Sequence, residues 1–151
     1  MDFSSYISGF VDGEGCFLVS FNLRGKLSTG IEVRPSFSIG QHERSIELLK
    51  RIHTHFQCGG IRYSRGDRTY KYEVRNLDDL LTKIIPHFLR FPLLSAKQKD
   101  FESFHVICEL MRQSAHLNRQ RLQEIIERAY TMNPSGKRKY TKDQLLKLLV
   151  R

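Results

Sequence analysis

The nine residues from Ile7 to Gly15, Ile-Ser-Gly-Phe-Val-Asp-Gly-Glu-Gly, set two acids, Asp12 and Glu14, among glycines where the local pattern ends a helix. The carbonyls at such an end lack intrahelical partners, so the potential is already negative and acids there are disfavoured. A divalent cation removes the conflict, and a hard ion such as magnesium takes oxygen ligands from carboxylates, carbonyls and water. The plainer reading is that Asp12 caps a turn while Glu14 is solvated at the start of a strand. On the chemistry of the nonamer alone, both readings stand.

The element that must position these acids is a short helix. Ser4 or Ser5 can cap its start, and Tyr6, Ile7, Phe10 and Val11 recur at the spacing of one apolar face. Ser5, Gly9 and Gly13 lie four residues apart and leave a groove shallow enough for a second helix backbone to approach.

Ile7, Ser8, Gly9, Phe10, Val11, Asp12, Gly13, Glu14 and Gly15 stand in register with a known nine-letter signature, and the stretch resembles that of the LAGLIDADG homing endonucleases. The resemblance implies that the signature helices of two half-molecules pack together. It also implies that Glu14, with backbone near Gly13, binds the catalytic metal. Glutamate stands here where many members carry aspartate, which lengthens the ligand without changing its charge. Asp12 is similar to the family's structural acid at the helix end.

The 151 residues suit one domain, divided into a core of about 5–93 and a helical extension of about 95–151, and the 40% hydrophobic fraction is enough to build a core. Twenty-five Lys and Arg against sixteen acids leave a net charge of +9, which points first to nucleic acid and then to an anionic membrane surface. No run of about eighteen apolar residues and no signal peptide is present, so a membrane protein is not expected. The expected location is intracellular: an organelle (chloroplast or mitochondrion) or a prokaryotic cytoplasm. Cys16, Cys58 and Cys108 are odd in number and form no CxxC pair, which argues against a disulfide framework or a zinc ribbon. His53 and His55 sit two apart and share no helix face, so a zinc site with Cys58 is not favoured either.

Alternation predicts two hairpins. Phe17, Val19, Phe21 and Leu23 oppose Cys16, Leu18, Ser20, Asn22 and Arg24, and after a turn over 25–30, Val33, Phe37 and Ile39 oppose Glu32, Arg34, Ser36 and Ser38. A helix carrying Ile46, Leu49, Ile52, His53 and Phe56 separates this hairpin from the next. There Ile61, Tyr63, Tyr70, Tyr72 and Val74 oppose Arg62, Ser64, Lys71, Glu73 and Arg75. Leu77, Leu80, Leu81, Ile84, Ile85 and Phe88 predict a third helix that Pro86 is placed to kink or end. The order is αββαββα, an α+β fold in which a four-stranded antiparallel sheet carries helices on one face. Capping boxes at Ser95–Gln98 and Thr141–Gln144, with a helix over 118–132 between them, add C-terminal helices.

The open sheet face collects Ser20, Asn22, Arg24, Lys26, Glu32, Arg34, Ser36, Ser38, Arg62, Ser64, Lys71, Glu73 and Arg75. Such a face suits a DNA major groove, where arginine reads guanine acceptors and glutamate accepts from cytosine amino groups. Any one of these side chains is equally at home on a wet surface, and the ensemble favours DNA. The family resemblance, which covers roughly residues 5–140 and includes the Phe91-Pro92-Leu93-Leu94 segment, implies a saddle of two hairpins along the duplex. It further implies that Gln41 orders solvent near the scissile phosphate, that Lys97 is the active-site lysine, and that Lys137, Arg138 and Lys139 bind phosphate. On their own residues, Gln41 also suits a helix cap, Lys97 a first-turn cation, and 137–139 a solvated basic turn.

Only one copy of the signature occurs. The expected unit is therefore a homodimer with Ser5, Ser8, Gly9, Asp12 and Gly13 at the seam, cutting a long, nearly palindromic double-stranded DNA site of the intron or intein type. The expected chemistry is metal-dependent phosphodiester hydrolysis with Mg2+, with Mn2+ or Ca2+ able to replace it in binding, and with Gln41 and Lys97 tuning the solvent. No membrane or small-molecule partner is expected. The rival readings are an RNA-binding maturase that assists intron splicing and a catalytically silent DNA-binding protein of the same fold.

Overall fold

A computed structural model describes residues 1–134 and 136–150. Helix α1 (Phe3–Glu14) leads into strand β1 (Gly15–Leu23), which hairpins to β2 (Ile31–His42). A 3-10 turn, Glu43–Ser45, opens α2 (Ile46–Phe56), and β3 (Gly60–Ser64) and β4 (Thr69–Val74) form the second hairpin. The strands make one antiparallel sheet in the order β1-β2-β4-β3, with Phe37 opposite Val74 and Arg62 opposite Lys71. The expected αββαββα order and α+β class are therefore found.

The next helical stretch departs from the sequence reading. It consists of α3 (Leu77–Asp79), a π turn at Leu80–Ile84 and α4 (Ile85–Arg90). Pro86 has no N–H to donate, and its ring crowds the carbonyl four residues back, so a widened turn just before it lets the chain stay helical to Arg90. Helices α5 (Lys97–Arg112), α6 (Arg119–Ala129) and α7 (Lys142–Leu149) follow.

Two compact units share these elements. One comprises Met1–Phe17 and Ser36–Gln98, the other Leu18–Pro35 and Lys99–Arg151. In the first, the predicted apolar positions pack as an aromatic core in which Phe37 meets Phe17, Phe56, Tyr72 and Phe88 at ring separations of 5.2–6.4 Å. In the second, Val19, Phe21, Ile31 and Val33 are buried, as are Phe101, Phe104, Leu122 and Ile125. Leu23, assigned to the apolar face, is 48% exposed because it ends its strand.

Capping also differs from expectation. Asp2, rather than Ser4 or Ser5, caps α1, its carboxylate accepting the Ser4 N–H at 3.1 Å and the Ser5 hydroxyl at 2.6 Å. The Thr141–Gln144 capping box forms. At Ser95–Gln98, the Gln98 side chain accepts the Leu93 N–H and the Ser95 N–H goes to Asp12. Among the described residues no helix is long and apolar enough to cross a membrane.

Candidate active site and nucleic-acid surfaces

Helix α1 buries Ile7, Ser8 and Val11 and exposes Ser5, Gly9, Gly13 and Glu14. Its glycines differ in what they answer to. A Cβ on Gly15 would lie 2.6 Å from Val11 Cγ1, so the strand can leave the helix only because that side chain is missing. A Cβ on Gly9 or Gly13 would meet nothing within 4 Å. Helical glycine costs about 1 kcal/mol relative to alanine, and among the described residues no close approach requires it at those two positions.

Ser8 does not belong to that open face, contrary to expectation. At about 100° per residue it falls on the same side as Ile7 and Val11. Its hydroxyl donates to the Phe91 carbonyl at 2.6 Å and lies 3.2 Å from His87 Nε2, which satisfies it within the chain.

The conflict of acids at a negative helix end is relieved for one acid and left standing for the other. Asp12 accepts the Leu94 N–H at 2.8 Å and the Ser95 N–H at 3.0 Å, and the Ser95 hydroxyl at 2.6 Å. Burial alone would raise its pKa, but these donors, with Lys97 nearby, hold it below the ordinary carboxylate value. Its carboxylate is thus committed to its own chain rather than to a seam. Lys97, the first residue of α5, places Nζ 2.8 Å from the Val11 carbonyl and 3.1 Å from that of Asp12, putting a cation on the orphan acceptors of α1.

Glu14 is exposed, and among the described residues no hydrogen bond or ion pair engages its carboxylate. Hard oxygen chemistry fits magnesium, manganese or calcium, but one carboxylate falls well short of the roughly six oxygens such ions take. Among the described residues no three His, Cys, Asp or Glu side chains converge on a metal-sized site. The Glu14 carboxylate alone is therefore too few oxygens to hold such an ion. Gln41 lies on β2 opposite Tyr70. The cap that Gln41 was placed to supply comes instead from His42 Nδ1, which accepts the Arg44 N–H, so the Gln41 carboxamide keeps its hydrogen-bonding capacity.

On the β3–β4 hairpin, Arg62, Ser64, Lys71 and Arg75 are exposed, while Glu73 is partly covered by the cations around it. Arg75 lies 2.8 Å, Arg62 3.2 Å and Lys71 3.6 Å from Glu73, and together they hold its carboxyl below the usual range against the effect of burial. Glu73 is therefore paired with cations of its own hairpin. Gly60, Ile61, Arg62, Glu73 and Arg75 line an open hollow of about 310 Å³. Ser38 proves buried, because it sits inside β2 opposite Glu73 with a strand on either side, and it leaves the list of exposed contacts. Ser36 is half-buried.

Sequence reasoning missed a cluster at the other end of this hairpin. Tyr63 and Tyr70 pair at 4.7 Å, the Tyr63 hydroxyl donates to Glu43 at 2.9 Å, and Arg68 also binds Glu43. The turn cations Arg65 and Arg68 were visible in the sequence, but nothing there tied Glu43 to them.

In the second unit, Arg24 pairs with Glu32 at 2.6 Å, with Arg34 at 3.9 Å from the same acid, and Lys26 is exposed in the turn. Arg24 first, then Asn22 and Arg34, hold Glu32 low. Ser20 and Asn22 are half-exposed on β1. Lys137 and Lys139 are exposed, whereas Arg138 is half-buried and turned into its own chain. Its two terminal nitrogens donate to the carbonyls of Val19 and Ala129, each at 2.7 Å, and its guanidinium lies 4.4 Å above the Tyr130 ring.

A sequence profile of the LAGLIDADG endonuclease family matches residues 7–108. A Neurospora crassa protein described as a probable intron-encoded endonuclease is 32% identical over 130 residues, covering 85% of this chain and 29% of that protein. Among its fungal relatives the chain spans between 24% and 47% of the length of each. The crystal structure of the homing endonuclease I-TnaI superposes with a TM-score of 0.84 at 33% identity, covering 97% of this chain and 95% of that one. I-LtrWI, a LAGLIDADG homing endonuclease bound to its target DNA, superposes with a TM-score of 0.88 at 31% identity, over 93% of this chain and 47% of that one. The signature helix, the strand order and these matches agree, and the chain belongs to the LAGLIDADG endonuclease family.

Proposed function

We propose that this chain is one half of a site-specific double-strand DNA endonuclease of the homing type, working as a homodimer on a nearly palindromic duplex. The observation that carries this is the exposed end of α1. Gly9 and Gly13 are bare with no reason inside the chain, and Glu14 is the one acid there left unengaged.

Pairing two α1 helices across a two-fold axis would give the glycines their purpose and bring two Glu14 carboxylates together. Like charges so placed need a cation between them. The two Glu14 carboxylates, with phosphate oxygens of the duplex, would hold Mg2+. A divalent ion supplies Lewis-acid stabilisation of phosphoryl oxygens and a more acidic bound water.

The chain's own side chains do the rest. Lys97 neutralises the end of α1 and so favours a dianionic pair beside a phosphate. Gln41, with a free carboxamide on β2, is placed to orient a water. Arg62, Lys71 and Arg75 on one hairpin, and Arg24 and Arg34 on the other, supply donors for base edges and phosphates, held in set rotamers by Glu73 and Glu32. The relatives encoded within introns support the homing assignment.

The test is selection of cleaved sites from a random duplex library in magnesium, with EDTA as control. Wild-type chain should yield a pseudo-palindrome and no cutting in EDTA, and Glu14→Gln should bind the selected site without cutting it. Cleavage by Glu14→Gln at the wild-type rate would remove Glu14 from the chemistry. Binding without any cutting by wild type would favour the silent DNA-binding protein.

A further inference from the structure

We propose that Arg138 is a positioning residue that fastens the basic stretch 136–140 to the outer edge of β1. Lys137, Lys139 and the Ser20 hydroxyl then form one cradle for a backbone phosphate of bound duplex. This rests on the DNA-binding reading above and assigns Arg138 a role different from that of its two lysine neighbours.

β1 is an edge strand, so one row of its carbonyls points away from β2 and needs partners from elsewhere. Arg138 Nη1 donates to one of them, Val19 O, at 2.7 Å. Nη2 donates to Ala129 O at the last turn of α6, also at 2.7 Å, where a cation suits the helix dipole. The guanidinium plane covers Tyr130, whose ring stacks on Phe21 and whose hydroxyl donates to Tyr140 O at 2.5 Å. The stretch is therefore pinned at both 138 and 140.

Because side chains alternate along a strand, pinning at Val19 brings the lysines beside Ser20, the next residue and one on the polar face. Ser20, Lys137, Lys139 and Tyr140 share the lining of a cavity of about 90 Å³. That is roughly three water volumes, room for phosphate oxygens but not for a base and its sugar. Among the described residues no carboxylate lines it. A lysine at 138 would keep the charge, but as a point donor it cannot reach two carbonyls in a fixed fork.

The experiment measures binding of the full chain to a random-sequence duplex over a salt series, for wild type, Arg138→Lys, the Lys137→Ala/Lys139→Ala double variant and the triple variant, with urea unfolding as a check on folding. Each lysine that leaves a phosphate lowers the salt slope by about 0.9. We expect Arg138→Lys to lose about 1.8 from the slope per bound protomer despite its unchanged charge, to match the double variant, and to add nothing in the triple variant. A near-wild-type slope for Arg138→Lys, or full additivity in the triple variant, overturns the positioning role and makes residue 138 a phosphate ligand. A wild-type slope in the double variant overturns the cradle even where Arg138→Lys fails to fold. Salt-independent binding by wild type overturns the DNA reading itself, and the cradle with it.

Discussion

Gly9→Ala separates what this chain needs as a single molecule from what the proposed pairing of two α1 helices needs. Gly9 lies in the middle of α1, exposed, and a Cβ built on it meets no atom within 4 Å. In the separate chain the substitution should therefore act through helix propensity alone, stabilising it by about 0.8–1 kcal/mol. For a protein of this size that corresponds to a rise in Tm of about 2–4 °C. Across a two-fold seam the added methyl occurs twice where two backbones approach, so dimerisation and DNA cleavage should fall together. Gly15→Ala is the control, because its Cβ would sit 2.6 Å from Val11 Cγ1 and 3.1 Å from Val11 Cα, and overpacking of that kind costs about 1–3 kcal/mol. Urea unfolding across a dilution series, sedimentation of the same samples and cleavage of the selected site measure all three quantities. Destabilisation by Gly9→Ala at the lowest protein concentration would mean that an intrachain demand exists after all. Unchanged dimerisation and cleavage would mean that the seam lies elsewhere.

Two further outcomes follow from the charges. Burial first and the nearby His55 second lower the pKa of His87 from 6.5 to about 4, so the unfolded chain takes up this proton at a higher pH than the folded one. The stability that neutral His87 confers is intact above pH 6.5 and is lost as pH falls toward 4, by about 3 kcal/mol in all. His87→Leu should flatten the dependence of Tm on pH across that window, and an unchanged slope refutes the assignment. Glu73→Gln removes the acid shared by Arg62, Lys71 and Arg75, so binding to random duplex should tighten and its salt slope steepen by about 0.9 per bound protomer, while preference for the selected site weakens. A salt slope equal to wild type would show that these cations do not reach DNA.

Much of the fold was legible because period-2 and period-3.6 patterns are local. Phe17, Val19 and Phe37, like Leu49, Ile52 and Phe56, could be assigned to a core from spacing alone, and each is buried. The signature was legible for the same reason, as nine consecutive residues. The misreadings that bear most on the site concern partners distant in sequence. Ser8 looked like part of a small-residue face, but its hydroxyl finds Phe91, 83 positions away. Ser95 looked like one end of a local capping box until Asp12 took its N–H. Ser38 alternated as a surface residue, but lies covered in the middle of the sheet.

The sequence by itself determined the order of elements, the excess of positive charge and the pairing of glycines with acids at the end of α1. Only the tertiary structure decided which acid is spent and which is left. Asp12 is consumed by three donors from residues 94 and 95, and Lys97 covers the carbonyls behind it, contacts made across more than 80 residues of chain. Long-range contacts of this kind leave no periodic trace. They turn two similar carboxylates into one structural clamp and one exposed, unengaged carboxylate.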